Sequence, residues 1–365
     1  MKIALIVTGG LHPSGRQEIV PVLVALVERL ARAHDVHAFA LRHLPAPATY
    51  QLRGATVHDL GRPEGRRSQW VTLKRELVAN GPFDVVHGYW ADPAGLLAAA
   101  AGRWFNMPSV VTCSSGEFTS LTGIGYGLQR SLKARTVVAA TCRLATCVHV
   151  PTHYMAALAA AHGVSTRRIP VGTDTSPRQR VHAAEGPPWR VLQVASLNQV
   201  KDQSTLINAV ALARRTCDVR LDLVGEDTLG GTLQGEVQAL GIADAVMFHG
   251  FVLHDRLRPF YQSAHLYVQS SLHEAAGISV LEAAAAGLPI VGTRVGYVSD
   301  WAGRGAEDVP PADAAQLADA IVRVLHDPAR RQSLAAVAHQ FVREHDADYT
   351  ARTLVDLYAS LRITP

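Results

Sequence analysis

Short apolar runs rich in β-branched residues recur along the chain, separated by longer stretches whose apolar residues return every three or four positions. In the first half the runs are "KIALIV", "DVHAFAL", "ATVHDL", "FDVVHGY", "PSVVTC" and "TCVHVP". Between the first two, "EIVPVLVALVERLARAH" places Val20, Leu23, Val24, Val27, Leu30 and Ala31 at helical spacing. The second half repeats the rhythm with "WRVLQVA", "VRLDLVG", "DAVMFHG", "AHLYVQS" and "LPIVGT", and "KDQSTLINAVALARR" reads as a helix among them. Continuously apolar strands alternating with helices predict parallel sheets covered on both faces. Two such sets predict an α/β chain of two Rossmann-like, doubly wound domains.

The segment "IPVGTDTSPRQRVHAAEGPPWR" is rich in Pro, Gly and polar residues and lacks periodicity, so it reads as the linker. The expected domains are 1–170 and 171–346. A last helix, about 347–365, contains "DYTARTLVDLYASLR" with Leu354, Leu357, Tyr358 and Leu361 on one side. The length of 365 residues is ample for two cores.

Composition narrows the class. With 48% apolar and 18% charged residues, wholesale disorder is excluded. No apolar run reaches the roughly 18 residues that span a bilayer. The start "MKIALIVTGG" reads as a buried strand rather than a secretory leader. Cys113, Cys142, Cys147 and Cys217 lack zinc-finger spacing and sit in apolar surroundings, which suggests reduced thiols in a cytoplasmic protein. The net charge of +4 is unevenly divided: residues 1–170 hold 18 Lys and Arg against 9 Asp and Glu, the remainder 17 against 22. A basic half and an acidic half imply different partners.

Ligands of open parallel sheets sit at the carboxyl ends of the strands, so the loops there carry the chemistry, and two such domains are expected to face across a cleft. After the first strand, "TGGLHPSGRQEIV" offers Gly9 and Gly10, with a helix expected to start near Arg16. Such a turn exposes N–H groups to a phosphate or sugar oxygen, although a plain turn reads equally well. The dinucleotide fingerprint G-x-G-x-x-G is absent, and "AFALRH" offers no acid for a ribose, which argues against a dehydrogenase. In "SLNQVKDQSTLI", Lys201 stands just before a helix, where it suits a pyrophosphate or is simply solvated.

The densest stretch is "HEAAGISVLEAAAAGLPIVGT", residues 273–293. Glu274 falls in a loop after a strand, and Gly277 leaves the backbone bare. "SVLEAAAAG" is a helix that Gly287 ends and Pro289 blocks, with Glu282 about one turn in. The two carboxylates can accept from hydroxyls on different parts of one elongated ligand.

Here the chain resembles the retaining glycosyltransferases of family 4, which have the GT-B fold. The resemblance covers most of the chain and is strongest over about 190–300. Its hallmark, E-x7-E followed by an alanine-rich helix and G-x-P-V/I-V, stands here as "EAAGISVLEAAAAGLPIV". The resemblance implies transfer of a hexose from a UDP- or GDP-linked sugar to an acceptor hydroxyl with retention, in polysaccharide, glycolipid or glycoconjugate biosynthesis. It implies no metal and no resident cofactor. Glu274 would approach the donor sugar and Glu282 hold the ribose. Backbone amides of Ala276, Gly277, Ile278 and Ser279 would meet sugar hydroxyls and phosphate. The family's G-R-L-x-x-x-K appears as "ASLNQVK", which assigns Lys201 to the phosphate and, with Glu274, to catalysis. "LVGEDTL", "FHGFV", "IPVGTD" and the glycine loop "TGGLHPSG" are further landmarks.

Two positions depart from the family. Ser196 replaces the arginine that shares the phosphate, with Arg294 and Arg16 as possible substitutes. In "TCSSGEF", Ser114 replaces a histidine near the reacting sugar, with Gly116 and Glu117 following. Arg16, Ser114, Gly116 and Glu117 are therefore the acceptor-side candidates. The departures keep a non-catalytic sugar-nucleotide binder open beside a GT-B sugar-nucleotide epimerase. The acceptor, whether a sugar, a lipid-linked sugar or a small molecule, is not written in these motifs. The basic segments "LKREL", "LQRSLKARTVV" and "CRLATC" suit anionic headgroups at the inner face of the membrane, or are ordinary solvated arginines. No nucleic acid partner is expected.

Overall fold

In the computed structural model, which describes residues 1–174 and 186–362, the apolar runs become the strands of two separate sheets. Unit 1 comprises Met1–Gly172 and Ala347–Pro365; unit 2 comprises Thr173–Asp346. Of the expected linker over 169–190, residues 175–185 lie outside the described residues.

Unit 1 contains β1 (Lys2–Val7), β2 (Asp35–Ala40), β3 (Ala48–Leu52), β4 (Ala55–Asp59), β5 (Val85–Tyr89), β6 (Ser109–Thr112), β7 (Cys147–Val150) and β8 (Arg167–Arg168). They form one sheet in the order β3-β4-β2-β1-β5-β6-β7-β8. All pairs are parallel except β3 with β4. β1 is central and almost wholly buried, as a both-faces-covered strand must be. One face is covered by the helix Pro21–Ala31, whose Leu23, Val27 and Leu30 meet Leu354, Leu357 and Tyr358 of the helix Ala347–Arg362 in one core. The opposite face carries the helices Gly65–Asn80 and Leu96–Phe105, anchored through Leu73, Leu77, Leu97 and Ala101. The helix Leu132–Leu144 packs beside the second of these. The chain's exit from unit 1 is fixed to its return: the Thr350 hydroxyl donates to the Pro170 carbonyl and accepts from the Gly172 amide, both at 2.8 Å.

Unit 2 contains β9 (Trp189–Val194), β10 (Val219–Val224), β11 (Val246–Phe248), β12 (Leu266–Gln269), β13 (Ile290–Thr293) and β14 (Glu307–Val309). They form an all-parallel sheet in the order β11-β10-β9-β12-β13-β14. The helices Gln203–Ala213 and Ala314–His326 pack together over its core through Leu206, Val210, Leu317 and Ile321. In each sheet the strand order reverses at one place, between β1 and β5 and between β9 and β12. Such reversals open a crevice at the carboxyl ends of the strands.

Three strands lie beyond the sequence expectation: β3, β8 and β14. All are sheet edges and short. β3 and β4 are joined by Arg53 and Gly54, both at positive φ, the backbone of a tight two-residue hairpin.

Candidate functional site

The loops that follow β9 and β12 meet at the reversal point of the second sheet. The Leu272 amide donates to the Val200 carbonyl at 2.8 Å, and the Ser270 hydroxyl to the Lys201 carbonyl at 2.8 Å. Ser270 also accepts from Gln193 at the end of β9 at 3.0 Å. Asp202 caps the helix Gln203–Ala213 through the Thr205 amide. The buried Gln203 reaches back to the Ser196 carbonyl at 3.2 Å and accepts from the Asn198 amide at 3.3 Å. The backbone that presents Lys201 is therefore fixed at both ends before any ligand arrives.

Lys201 Nζ is paired with Glu274 Oε1, which also accepts from the Ser271 hydroxyl at 2.8 Å. The two side chains are 26% and 13% exposed, so the pair sits at the mouth of the crevice rather than on open surface. Ser271 is held in turn, its carbonyl accepting from Thr293 at 2.6 Å. The chain then turns at Gly277, with φ of 90°, and starts the helix Ile278–Ala285. The positive φ favours glycine there, while the nearest atom to an added Cβ, Gln269 Oε1 at 2.8 Å, is the end of a side chain that can give way. Ser279 in the first turn is fixed by the Tyr267 hydroxyl at 2.7 Å, and burial pushes that phenol well above its ordinary range. A Lys, a Glu and the N–H groups at the start of a helix thus converge, a donor-rich arrangement for a phosphate beside a carboxylate acceptor for hydroxyls.

Glu282 departs from the simple picture of an open ribose acceptor. It is 3% exposed, and its two oxygens bind His254 Nε2 at 2.5 Å and the Tyr261 hydroxyl at 2.7 Å. His254, about one-third exposed, is the solvent-facing member of that pair. No spacing rule points to His254 or Tyr261, because they come from a loop and helix after β11 that reach Glu282 only in three dimensions.

Ser196, in the arginine's place, is exposed. Arg294 does not stand free to replace the missing charge: its Nε binds Asp308 at 2.5 Å. The only Asp-x-Asp spacing in the sequence, Asp346 and Asp348, is no open metal pair either, since Asp348 binds Arg29 and Arg32 at 3.2 and 2.9 Å.

The acceptor-side candidates, and the donor-side Gly9 and Gly10, all lie in unit 1. Gly9 and Gly10 follow β1 at the reversal point of that sheet, and the Gly10 carbonyl accepts from Val20 at 2.9 Å. Arg16 is exposed but does not open a helix. Residues 11–19 close on themselves through a bridge between Leu11 and Ile19, and the helix starts at Pro21, whose fixed φ suits a first turn. Ser114 is half-buried and Gly116 is buried. Glu117 does not face a ligand: 1% exposed, it accepts from the amides of Ser115 at 2.7 Å, Ser114 at 3.3 Å and Ala91 at 3.4 Å. Burial pushes its carboxyl up while these N–H groups hold it down. It braces the loops after β5 and β6 instead.

Residues 175–341 match the family described as glycosyl transferases group 1, and residues 19–172 the glycosyl transferase 4-like domain. The D-inositol 3-phosphate glycosyltransferase of Corynebacterium urealyticum is 31% identical over 182 residues, which cover 47% of this chain and 43% of that relative. The chain therefore matches less than half the length of that curated relative. Sucrose-phosphate synthase from Thermosynechococcus elongatus superposes with a TM-score of 0.80 at 22% identity, covering 99% of both chains. HepE of Anabaena, solved in complex with UDP-glucose, superposes with a TM-score of 0.77 at 17% identity, covering 99% of this chain and all of that one. With a 4-like domain in its first unit, a group 1 domain in its second and this architecture in both, the chain belongs to the glycosyltransferases of the GT-B fold.

Proposed function

We propose that this protein transfers a sugar from a nucleotide-diphosphate sugar to an acceptor hydroxyl, with retention at the anomeric carbon and without a metal ion. The observation that carries the proposal is the convergence of Lys201, Glu274 and the start of the helix Ile278–Ala285 at the β9–β12 reversal point. Negative charge builds on the diphosphate as the bond from its oxygen to the anomeric carbon breaks. Lys201 and the N–H groups of Gly277, Ile278 and Ser279 are donors already fixed in place for that charge. The acceptor oxygen bonds to the same face of the anomeric carbon, and its proton passes to the departing phosphate oxygen. Glu274 accepts from the sugar hydroxyls, and Glu282 with His254 takes the ribose. HepE, solved with UDP-glucose, makes that sugar nucleotide the first donor to try.

The test is a thermal-shift screen of UDP- and GDP-linked sugars, since a true donor raises the melting point by mass action. Transfer with that donor is then followed by proton NMR at the anomeric position. The same anomeric configuration in donor and product is expected. An inverted product would refute retention, and a donor bound but never transferred or hydrolysed would refute catalysis.

A further inference from the structure

The three helices Gly65–Asn80, Leu96–Phe105 and Leu132–Leu144 form the outer layer on one face of the unit 1 sheet. Together they carry eight Lys and Arg and a single acid, Glu76. They also carry every large hydrophobic side chain of unit 1 that stands exposed among the described residues: Val71 (59%), Val78 (63%), Trp104 (61%), Leu132 (78%) and Leu144 (37%). Buried positions do not explain this apolar surface, because the inward face of the first helix is already supplied by Gln69, Leu73 and Leu77.

The two properties share one surface. On the helix Gly65–Asn80, Arg67, Val71, Lys74 and Val78 follow one another at spacings of four, three and four, one stripe along the cylinder. Lys74 Nζ lies 3.9 Å from the ring centre of Trp104 on the neighbouring helix, and Trp70 packs edge-on against the same ring. Arg103 Nε donates to the Leu144 carbonyl at 3.1 Å, which joins the second helix to the third. A solvated face needs neither exposed Val nor exposed Trp. A protein partner would demand shape, whereas a tryptophan and valines ringed by long basic side chains fit a headgroup layer, with the rings at the interface and the cations on the phosphates. The segment of basic residues that begins before the third helix contributes less. Arg130 lies in a short turn ahead of it, and Arg135 Nε is spent on the Gln129 carbonyl at 2.6 Å.

We propose that this three-helix face docks unit 1 on an anionic phospholipid surface, with Trp104, Val71 and Val78 entering the interface and Arg67, Lys74 and Arg75 meeting the phosphates. The inference does not depend on the transfer reaction.

The experiment is cosedimentation of the full chain with phosphatidylcholine vesicles, with and without phosphatidylglycerol, at low and high salt. Binding to the anionic vesicles alone, weakened by salt, is expected. Trp104 emission should shift to the blue on those vesicles and the shift should vanish in Trp104→Phe. The pair Val71→Asp and Val78→Asp, both on solvent-exposed positions, should lower vesicle affinity by about tenfold or more. Its melting point and its binding of the nucleotide sugar should stay unchanged. Equal binding to neutral vesicles would overturn the proposal, as would undiminished binding by the double variant. Binding of heparin or polyglutamate as tight as that of the vesicles, untouched by the valine changes, would make the face a general polyanion site and likewise overturn it.

Discussion

Lys201→Ala tests the proposed chemistry most directly, because the structure separates its effect on folding from its effect on the reaction. The ammonium is about one-quarter exposed and pairs with Glu274, which keeps the Ser271 hydroxyl as a second donor. A partly exposed pair contributes about 0–1 kcal/mol to stability, so the melting point should change little. The reaction should change much more. A fixed donor aimed at charge that develops in the transition state contributes about 2.7–4 kcal/mol, or roughly a hundredfold to a thousandfold in turnover. Because Glu274 already neutralises part of the lysine's charge, the lower end of that range, roughly a hundredfold, is expected. The nucleoside diphosphate carries less charge on the bridging oxygen than the transition state does, so its affinity should fall by only about tenfold. The assay pairs initial rates with calorimetric titration of the diphosphate on the same protein. Equal losses in affinity and in kcat/KM would mean that the lysine positions the donor and does not stabilise its departure.

Glu282→Ala should weaken binding of the nucleoside diphosphate by about tenfold to a hundredfold, roughly 1.5–3 kcal/mol for hydrogen bonds to a charged acceptor. Unchanged calorimetric affinity would remove it from the ribose. Gly277→Ala should destabilise unit 2 by about 1–3 kcal/mol through a strained positive φ, and should abolish donor binding. A variant with wild-type urea unfolding would contradict that account. In unit 1, burial lowers His87 well below its ordinary value and His149 to about 3. The unfolded chain then binds more protons than the folded one below about pH 6.5. Their contribution is complete above that pH and is lost as the pH falls toward about 3, at up to about 1.4 kcal/mol per unit for each proton. Urea unfolding measured from pH 7.5 down to 5.5 should show this decline, and a flat profile would refute it.

The central strands were legible because they are apolar on both faces, and short length with β-branched content separates "KIALIV" or "WRVLQVA" from their periodic neighbouring helices. The edges were not: β14 carries Glu307 and Asp308 and β8 is Arg167–Arg168, charged residues that only a sheet already in place turns into strands. At the site, the Glu274–Gly277–Ile278 turn follows from Gly and helix-stop chemistry in one short stretch. The environment of Glu282 does not, because His254 and Tyr261 are 28 and 21 residues away in sequence. Glu117 shows the converse. A carboxylate beside a glycine in a loop has the sequence appearance of a ligand group, and only the three amides that converge on it reveal a brace.

The stapling of Thr350 to Pro170 and Gly172 has a consequence for synthesis. Unit 2 is one uninterrupted stretch and can reach its native state as soon as its last helix emerges. Unit 1 is begun first yet finished last, since Leu354, Leu357 and Tyr358 complete its core only after the whole of unit 2 has been made. During that interval one face of its sheet and the helix Pro21–Ala31 lack their cover, which leaves the nascent chain exposed to aggregation and proteolysis for the time unit 2 takes to translate. A chain cut short anywhere in unit 2 can never close unit 1. Unit 2 should therefore be obtainable alone as a fragment, whereas unit 1 should be recoverable only when residues 347–362 are rejoined directly behind Gly172.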